Sequence, residues 1–104
     1  MQGGVEIIIK NGFFNLEAID EYPFFALAKL RQELELEGYH MLINASRVNV
    51  YPSGMQYGTF SAYELELGKS ATNIVDILDS IDSSEELATV KEQEAYFCKW
   101  IESL

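Results

Sequence analysis

The acidic side chains of residues 76–94 are the clearest chemical feature of this sequence. Seven acids stand there against one cation, Lys91: Asp76, Asp79, Asp82, Glu85, Glu86, Glu92 and Glu94. On a helix, like charges at this spacing repel by about 0.2–0.5 kcal/mol per pair, so the acids are not explained by helix stability. The spacing predicts an acidic ridge, which is either a plain solvated face or a surface that meets a basic partner.

The same spacing argues against a metal site. A calcium-binding loop needs acids at alternate positions around a central glycine, whereas Asp76, Asp79 and Asp82 recur at every third residue. The sequence therefore predicts no metal and no cofactor.

Residues with catalytic potential are few. His40 is the one histidine and stands in a predicted strand, which is typical of a hydrogen-bonded structural side chain. Cys98, the one cysteine, cannot form an internal disulfide, and beside Phe97 in a predicted helix we expect a buried, inert thiol. We therefore predict that the chain is not an enzyme and has no catalytic residues.

One enzymatic or ligand-binding alternative stays open on the partly open face of the predicted sheet. The side chains that could act there are Arg47, Glu64, Glu66 and His40. A deep pocket in which Glu and His converge would favour it.

The overall charge narrows the class of partner. The 104 residues carry a formal net charge of -10, and the seven Lys and Arg are scattered singly. This field repels nucleic acid and anionic membranes and accelerates encounter with basic proteins, although acidity also serves solubility. No apolar run reaches the roughly 18 residues of a membrane span, and no basic segment precedes an apolar one at the start, so we expect a cytoplasmic protein.

The elements that must position these residues form one α+β domain over residues 1–104. Alternating apolar residues predict a mainly antiparallel sheet with strands at about 5–10, 39–45, 46–51 and 59–67. A helix is predicted over 23–37, beginning at Pro23 and ending before Gly38. Its core-facing stripe consists of Phe24, Leu27, Leu30 and Leu34. Residues 13–21 are interpreted as a packed connection after a stop at Asn11–Gly12.

The second half is organised around a hairpin. The strands 46–51 and 59–67 flank a loop bearing Pro and Gly, with the return strand burying Tyr63, Leu65 and Leu67. Met55 and Tyr57 stand at the tip of this loop, where they are either exposed to a partner or folded back onto the hairpin itself.

Two C-terminal helices are predicted after the hairpin. One spans about 73–81 with Thr72 as N-cap, and the other spans about 84–103 behind a Ser83–Glu86 capping box. The stripe of the last helix is formed by Leu87, Val90, Phe97, Ile101 and Leu104.

The run Arg47–Met55, followed by Tyr63–Lys69, resembles a hairpin of small acidic bacterial immunity proteins from contact-dependent growth inhibition and related polymorphic toxin systems. The resemblance implies a cytoplasmic inhibitor that binds and neutralises a cognate basic toxin, many of which are nucleases. Because such proteins share no single fold, it transfers no site residues.

The contact residues are therefore predicted from charge and composition. They are Asp76, Asp79, Asp82, Glu85 and Glu86, with Met55 and Tyr57 as a second contact. Such a protein is expected to be a monomer or a weak homodimer that binds neither nucleic acid nor membrane. The alternative is a non-catalytic adaptor or a homodimeric subunit of a larger bacterial assembly.

Overall fold

The computed structural model describes residues 5–10, 15–82 and 86–104. Within them the chain has an α+β fold with two antiparallel sheets, one of two strands and one of three, and two helices. The elements in chain order are β1 (Val5–Lys10), β2 (Asn15–Asp20), α1 (Pro23–Leu36), β3 (Val50–Tyr51), β4 (Ser61–Glu64), β5 (Asn73–Asp76) and α2 (Val90–Ser103). None of the helices in these ranges is long and apolar enough to cross a membrane.

The strands β1 and β2 form an antiparallel hairpin, with Ile7 opposite Ala18. The predicted strand 5–10 is confirmed, but the interpretation of 13–21 as a packed connection is wrong, since residues 15–20 are a strand. Leu16 and Ala18 alternate with the more exposed Glu17 and Ile19, which is the pattern of a strand with one face turned inward. The predicted stop at Asn11–Gly12 lies outside the described residues.

Helix α1 matches its prediction closely. It begins at Pro23 and ends at Leu36, and Gly38 takes the left-handed φ of 83° that stops a helix readily. All four residues of the predicted stripe are buried: Phe24, Leu27, Leu30 and Leu34.

The predicted strands 39–45 and 46–51 are wrong except for Val50–Tyr51. A 3₁₀ turn spans Asn44–Ser46, and the chain around it is irregular. The backbone groups of this stretch are satisfied by a later segment, because Ala45 N donates to Ile77 O and Val48 N donates to Glu86 O. The residues alternate, but in the described part of the chain their pairing with later segments is limited to isolated bridges at Ile43 and Arg47, so no regular ladder forms.

The predicted helix 73–81 is also wrong. Residues 73–76 form β5, the outer strand of the sheet β3-β4-β5, and β4 pairs with it so that Ala62 lies opposite Val75. The adjacent β-branched residues Ile74 and Val75 favour a strand, and pairing with β4 satisfies the backbone that a short helix would leave open. Thr72 accordingly caps no helix.

The return strand is shorter than predicted, and the set of side chains that it buries is different. It spans Ser61–Glu64 rather than 59–67, and its fully buried side chain is Ala62. Leu65 is buried as predicted, whereas Tyr63 is half-buried and Leu67 exposed. The alternation does not extend to Leu67 because regular pairing ends at Glu64.

Helix α2 begins later than its prediction of 84. Thr89 is the N-cap and forms a capping box with Glu92. The predicted box at Ser83–Glu86 depends on Ser83, which lies outside the described residues. Of the predicted stripe, Val90 is buried and Phe97 half-buried, but Ile101 and Leu104 are exposed. Leu87 forms an isolated bridge with Arg47 before the helix.

The interior joins both helices to the three-stranded sheet. Its apolar cluster consists of Phe24, Leu27, Ala45, Val50, Ala62 and Ile77. Beside it, Arg31 of α1 and Gln93 of α2 are buried and donate to backbone carbonyls of the 45–50 stretch. These polar contacts fix the irregular segment whose end leads into the hairpin loop.

Candidate protein-binding surface

The sheet topology brings the two sequence-predicted contact regions to one end of the molecule. The loop after β3 carries Met55 and leads into β4, and the first residue of β4, Ser61, lies opposite Asp76, the last residue of β5. Next to this pair, Ile77 N donates to Phe60 O at 2.9 Å. The loop that bears Met55 and the turn that follows Asp76 are therefore neighbours.

The loop and the turn carry three exposed large apolar side chains. The exposed fraction is 95% for Met55, 44% for Phe60 and 49% for Leu78. Asp76 and Asp79 are exposed beside them. We call these five residues the tip surface. Aromatic residues and Met are enriched in protein interfaces, where a polar rim surrounds an apolar centre, and the tip surface has this composition.

Tyr57 does not belong to the tip surface, although the sequence grouped it with Met55. Its ring centroid lies 5.2 Å from that of Tyr22 and 5.2 Å from that of Phe25. Of the two possibilities left open for the tip, Met55 is exposed and Tyr57 is folded back. Tyr57 therefore anchors the loop to the start of α1 and positions Met55.

The anchoring continues along a row of rings. Phe25 contacts Tyr51 at 6.2 Å, and Tyr51 stacks on Phe97 of α2 with 4.2 Å between centroids. At the loop itself, Ser53 and Gln56 form a capping box around the turn Gly54–Gln56. The backbone under Met55 is thus held by hydrogen bonds and ring contacts, which lowers the entropy lost when a partner binds.

The turn from Asp76 to Asp79 is also fixed. Asp76 Oδ1 accepts from Leu78 N at 2.8 Å, and Asp76 O accepts from Asp79 N at 3.2 Å. Asn44 stabilises the turn with two hydrogen bonds: its Nδ2 donates to Asp76 O, and its backbone N donates to Asp79 O. The two carboxylates are consequently presented on a defined turn, not on the helix that the sequence predicted.

The remaining predicted contacts do not join them on a helical ridge. Asp82 is exposed on a bend farther along the chain, and Glu85 lies outside the described residues. Glu86 is engaged by Arg47, whose Nη2 donates to Glu86 Oε1 at 2.8 Å. Of the five acids predicted as contacts, Asp76 and Asp79 lie on one turn, next to the end of the loop that bears Met55.

Arg47 is the centre of a charged cluster on the other side of the sheet. Besides Glu86, its Nη2 contacts Glu64 Oε2 at 2.6 Å. The hydrogen bond from Arg47, followed by one from Asn73, lowers the pKa of Glu64. For Arg47, burial alone would lower the pKa, but the hydrogen bonds with Glu86 and Glu64 outweigh it and raise the pKa.

Of the four residues of the enzymatic alternative, Arg47 and Glu64 are in contact, but Glu66 and His40 do not join them. His40 is exposed, whereas the guanidinium of Arg47 donates to Asn44, Glu64 and Glu86. Glu66 pairs with Lys69 instead of Arg47. In the described part of the chain, Glu and His therefore do not converge at the Arg47 cluster.

Burial of both arginines makes the outside of the molecule more acidic than the composition suggests. Arg31 is enclosed, and burial lowers its pKa to about 10 although the charge of Glu35 opposes the shift. Arg47 is likewise buried between its two glutamates. Among the described residues the exposed Lys and Arg side chains are all lysines, so an approaching basic protein meets a strongly negative field.

Cys98 is exposed, which contradicts the expectation of a buried thiol. It lies on α2 near Tyr51, where burial raises the pKa of the tyrosine and the charges of Glu94, Tyr57 and Cys98 raise it further. The stripe of α2 that faces inward passes through Gln93 and Phe97, and Cys98 stands one residue beyond it.

Comparison with models of known protein families finds no match for this chain, and comparison with curated proteins finds no similar sequence.

Proposed function

We propose that this chain is an immunity protein that binds and neutralises a cognate basic toxin of the nuclease class through the tip surface. The supporting observation is the antiparallel pairing of Ser61 with Asp76, which brings the end of the loop that bears the exposed Met55 to the start of the Asp76–Asp79 turn. On this proposal the chain acts by occupying its partner and performs no chemistry of its own.

Long-range charge sets the rate of association, and the apolar contact sets how long the complex lasts. The net charge of -10 attracts a basic partner and raises the rate of encounter. The two arginines offset this attraction little at the surface because they are buried. Retention depends on the centre of the contact, where Met55, Phe60 and Leu78 can enter apolar pockets of the partner. A nuclease site holds phosphates with Lys, Arg and His, and the carboxylates of Asp76 and Asp79 can take the place of those phosphates.

The first experiment asks whether such a partner exists. The product of the adjacent gene is expressed with and without this chain, and the two are tested for growth protection and for co-purification. The proposal expects toxicity alone, rescue by co-expression, and a complex that survives purification. An adjacent product that is harmless, or toxic but not bound, contradicts the immunity function.

A pair of variants then tests the surface. Asp76→Asn with Asp79→Lys changes the net charge by three units and keeps a side-chain carbonyl that can accept from Leu78 N. Glu37→Gln with Glu102→Lys makes the same change at two other exposed positions. The tip variant should slow association at low salt by about tenfold or more, and the matched control by much less. Equal slowing by both variants would mean that charge acts without a contact at the tip surface.

A further inference from the structure

In the residues that the structure describes, the strand β2 has an edge without a strand partner that opens onto a groove. Within the described part of the chain β2 pairs with β1 alone, so its other edge has no strand partner. Three consecutive residues, Glu17, Ala18 and Ile19, line the groove. Because successive side chains of a strand point to opposite faces, a groove that touches all three runs along the edge itself.

The opposite wall is one flank of α1. Lys29, Gln32, Glu33 and Leu36 line it, at the three- and four-residue spacing of a single helical face. The groove has a volume of about 800 Å³, and Thr89 and Lys91 at the start of α2 also line it. A strand laid beside β2 would therefore lie between the sheet edge and this helix.

Two large apolar side chains are left in water along this groove. Leu36 is 86% exposed and Ile19 is 59% exposed, although both belong to regular elements that pack elsewhere through other residues. Such side chains on the rim of an apolar groove are typical of a surface that a partner covers.

The charges of the walls favour a basic occupant. Glu17 on the strand and Glu33 on the helix are exposed and face the groove from both sides. Of the two lysines, Lys29 is already paired with Asp20 at 3.2 Å. Its Nζ also donates to Ile19 O at 2.7 Å, so a strand that pairs with β2 at Ile19 takes the place of this lysine.

We propose that the groove binds an extended segment of a partner protein, in which large apolar residues alternate with Lys or Arg, as a third strand beside β2. The apolar residues face Ala18 and Leu36, and the basic residues face outward beside Glu17. The inference does not rest on the proposed function, because the groove shares no residue with the tip surface.

The test uses a fluorescent seven-residue peptide of alternating Lys and Val, with blocked ends, titrated by anisotropy. Two further peptides carry N-methyl groups, one on the Lys amides and the other on the Val amides, with all side chains and charges unchanged. In strand addition one set of amides bonds β2 and the other faces away. One methylated peptide should therefore lose binding while the other keeps it.

Protein variants locate the site. Ile19→Lys with Leu36→Lys should weaken binding of the unmodified peptide about tenfold or more, since Leu36→Lys removes apolar contact and Ile19→Lys repels the basic residues on the face of Glu17. Ile74→Lys with Ile101→Lys is the matched control, because it makes the same charge change at two exposed apolar positions outside the groove. It should weaken binding only slightly, and equal urea midpoints for the two variants would show that both fold.

Several results would overturn the inference. They are no binding of the peptide, equal loss in both variants, or indifference to both methylation patterns. Light scattering that shows a dimer of the free chain, abolished by Leu36→Lys, would mean that a second copy fills the groove and would likewise contradict the proposed occupant.

Discussion

Arg31 Nη1 on α1 donates to Gln93 Oε1 on α2 at 2.7 Å, in the interior between the two helices. The same guanidinium also donates to Ala45 O and Ala88 O, and Gln93 Nε2 lies within 3.0 Å of three carbonyl oxygens: those of Ala45, Arg47 and Val50. The two side chains thus replace strand pairing as the support of residues 45–50, from which the loop bearing Met55 follows.

The first prediction concerns the amide of Gln93. Gln93→Glu would give Arg31 a carboxylate partner, yet we expect it to destabilise the fold by about 2 kcal/mol or more. The reason is that the donor nitrogen is replaced by a charged oxygen facing backbone carbonyls. Urea unfolding at pH 7 measures the loss, and Gln32→Glu on the exposed flank of α1 is the control with the same charge change. Equal effects of the two substitutions would contradict the buried network.

Glu64 gives a pH-dependent prediction. Its pKa is lowered in the folded state by Arg47, so its contribution to stability is present above the unfolded pKa and is lost as pH falls through the folded value. Glu64→Gln should therefore be less stable than the wild type at neutral pH, and the difference should shrink below about pH 4. Urea midpoints measured across pH would show it.

The control for Glu64 is Glu66→Gln, which removes an exposed pair with Lys69. Exposed pairs three residues apart contribute little, so this variant should follow the wild-type curve. If Glu64→Gln follows it as well, the cluster around Arg47 does not stabilise the fold.

Local signals predicted α1 correctly because all of them are contained in its own sequence. Pro23, Gly38 and the apolar stripe specify its ends and its buried face without reference to the rest of the chain. The buried Arg31 was missed, although its position between Leu27 and Leu34 continues that stripe. Gln93 stands in the same relation to Val90 and Phe97 on α2. A polar residue on an apolar stripe was thus the signal for the interior network.

The tip surface was only partly predictable because it depends on pairing between distant strands. Exposure of Met55 follows from its place in a turn-rich loop. The proximity of Asp76 follows from its pairing with Ser61, which competes with a helical pattern in Ile74, Ile77 and Leu78. Sequence periodicity alone could not decide that competition, since four paired residues are too few to show a clear strand alternation.

A third prediction tests where α2 begins. Thr89→Ala should destabilise the fold by about 1 kcal/mol, because Thr89 Oγ1 accepts from Glu92 N at 3.1 Å and satisfies the helix start. Thr72→Ala is the matched control, since Thr72 is exposed and precedes a strand. A larger loss at Thr72 would instead support the helix that the sequence predicted there.

The last prediction separates the two residues of the hairpin loop. Met55→Ala should change the free energy of unfolding by less than about 0.5 kcal/mol, because the side chain is almost fully exposed. Tyr57→Ala should lower it by about 2 kcal/mol, because it removes the ring contacts with Tyr22 and Phe25. Tyr57→Phe keeps the ring and should stay close to the wild type in urea unfolding.

Partner binding should divide these variants differently. On the proposed function, Met55→Ala weakens the complex although the fold is unchanged, while Tyr57→Phe preserves both. Because Tyr57 supports the loop through its ring contacts, a substitution of Tyr57 should weaken partner binding only as far as it lowers the stability of the fold. A complex weakened by Tyr57→Phe but not by Met55→Ala would make the tyrosine hydroxyl, not the exposed thioether, the contact, and would move the binding surface toward the start of α1.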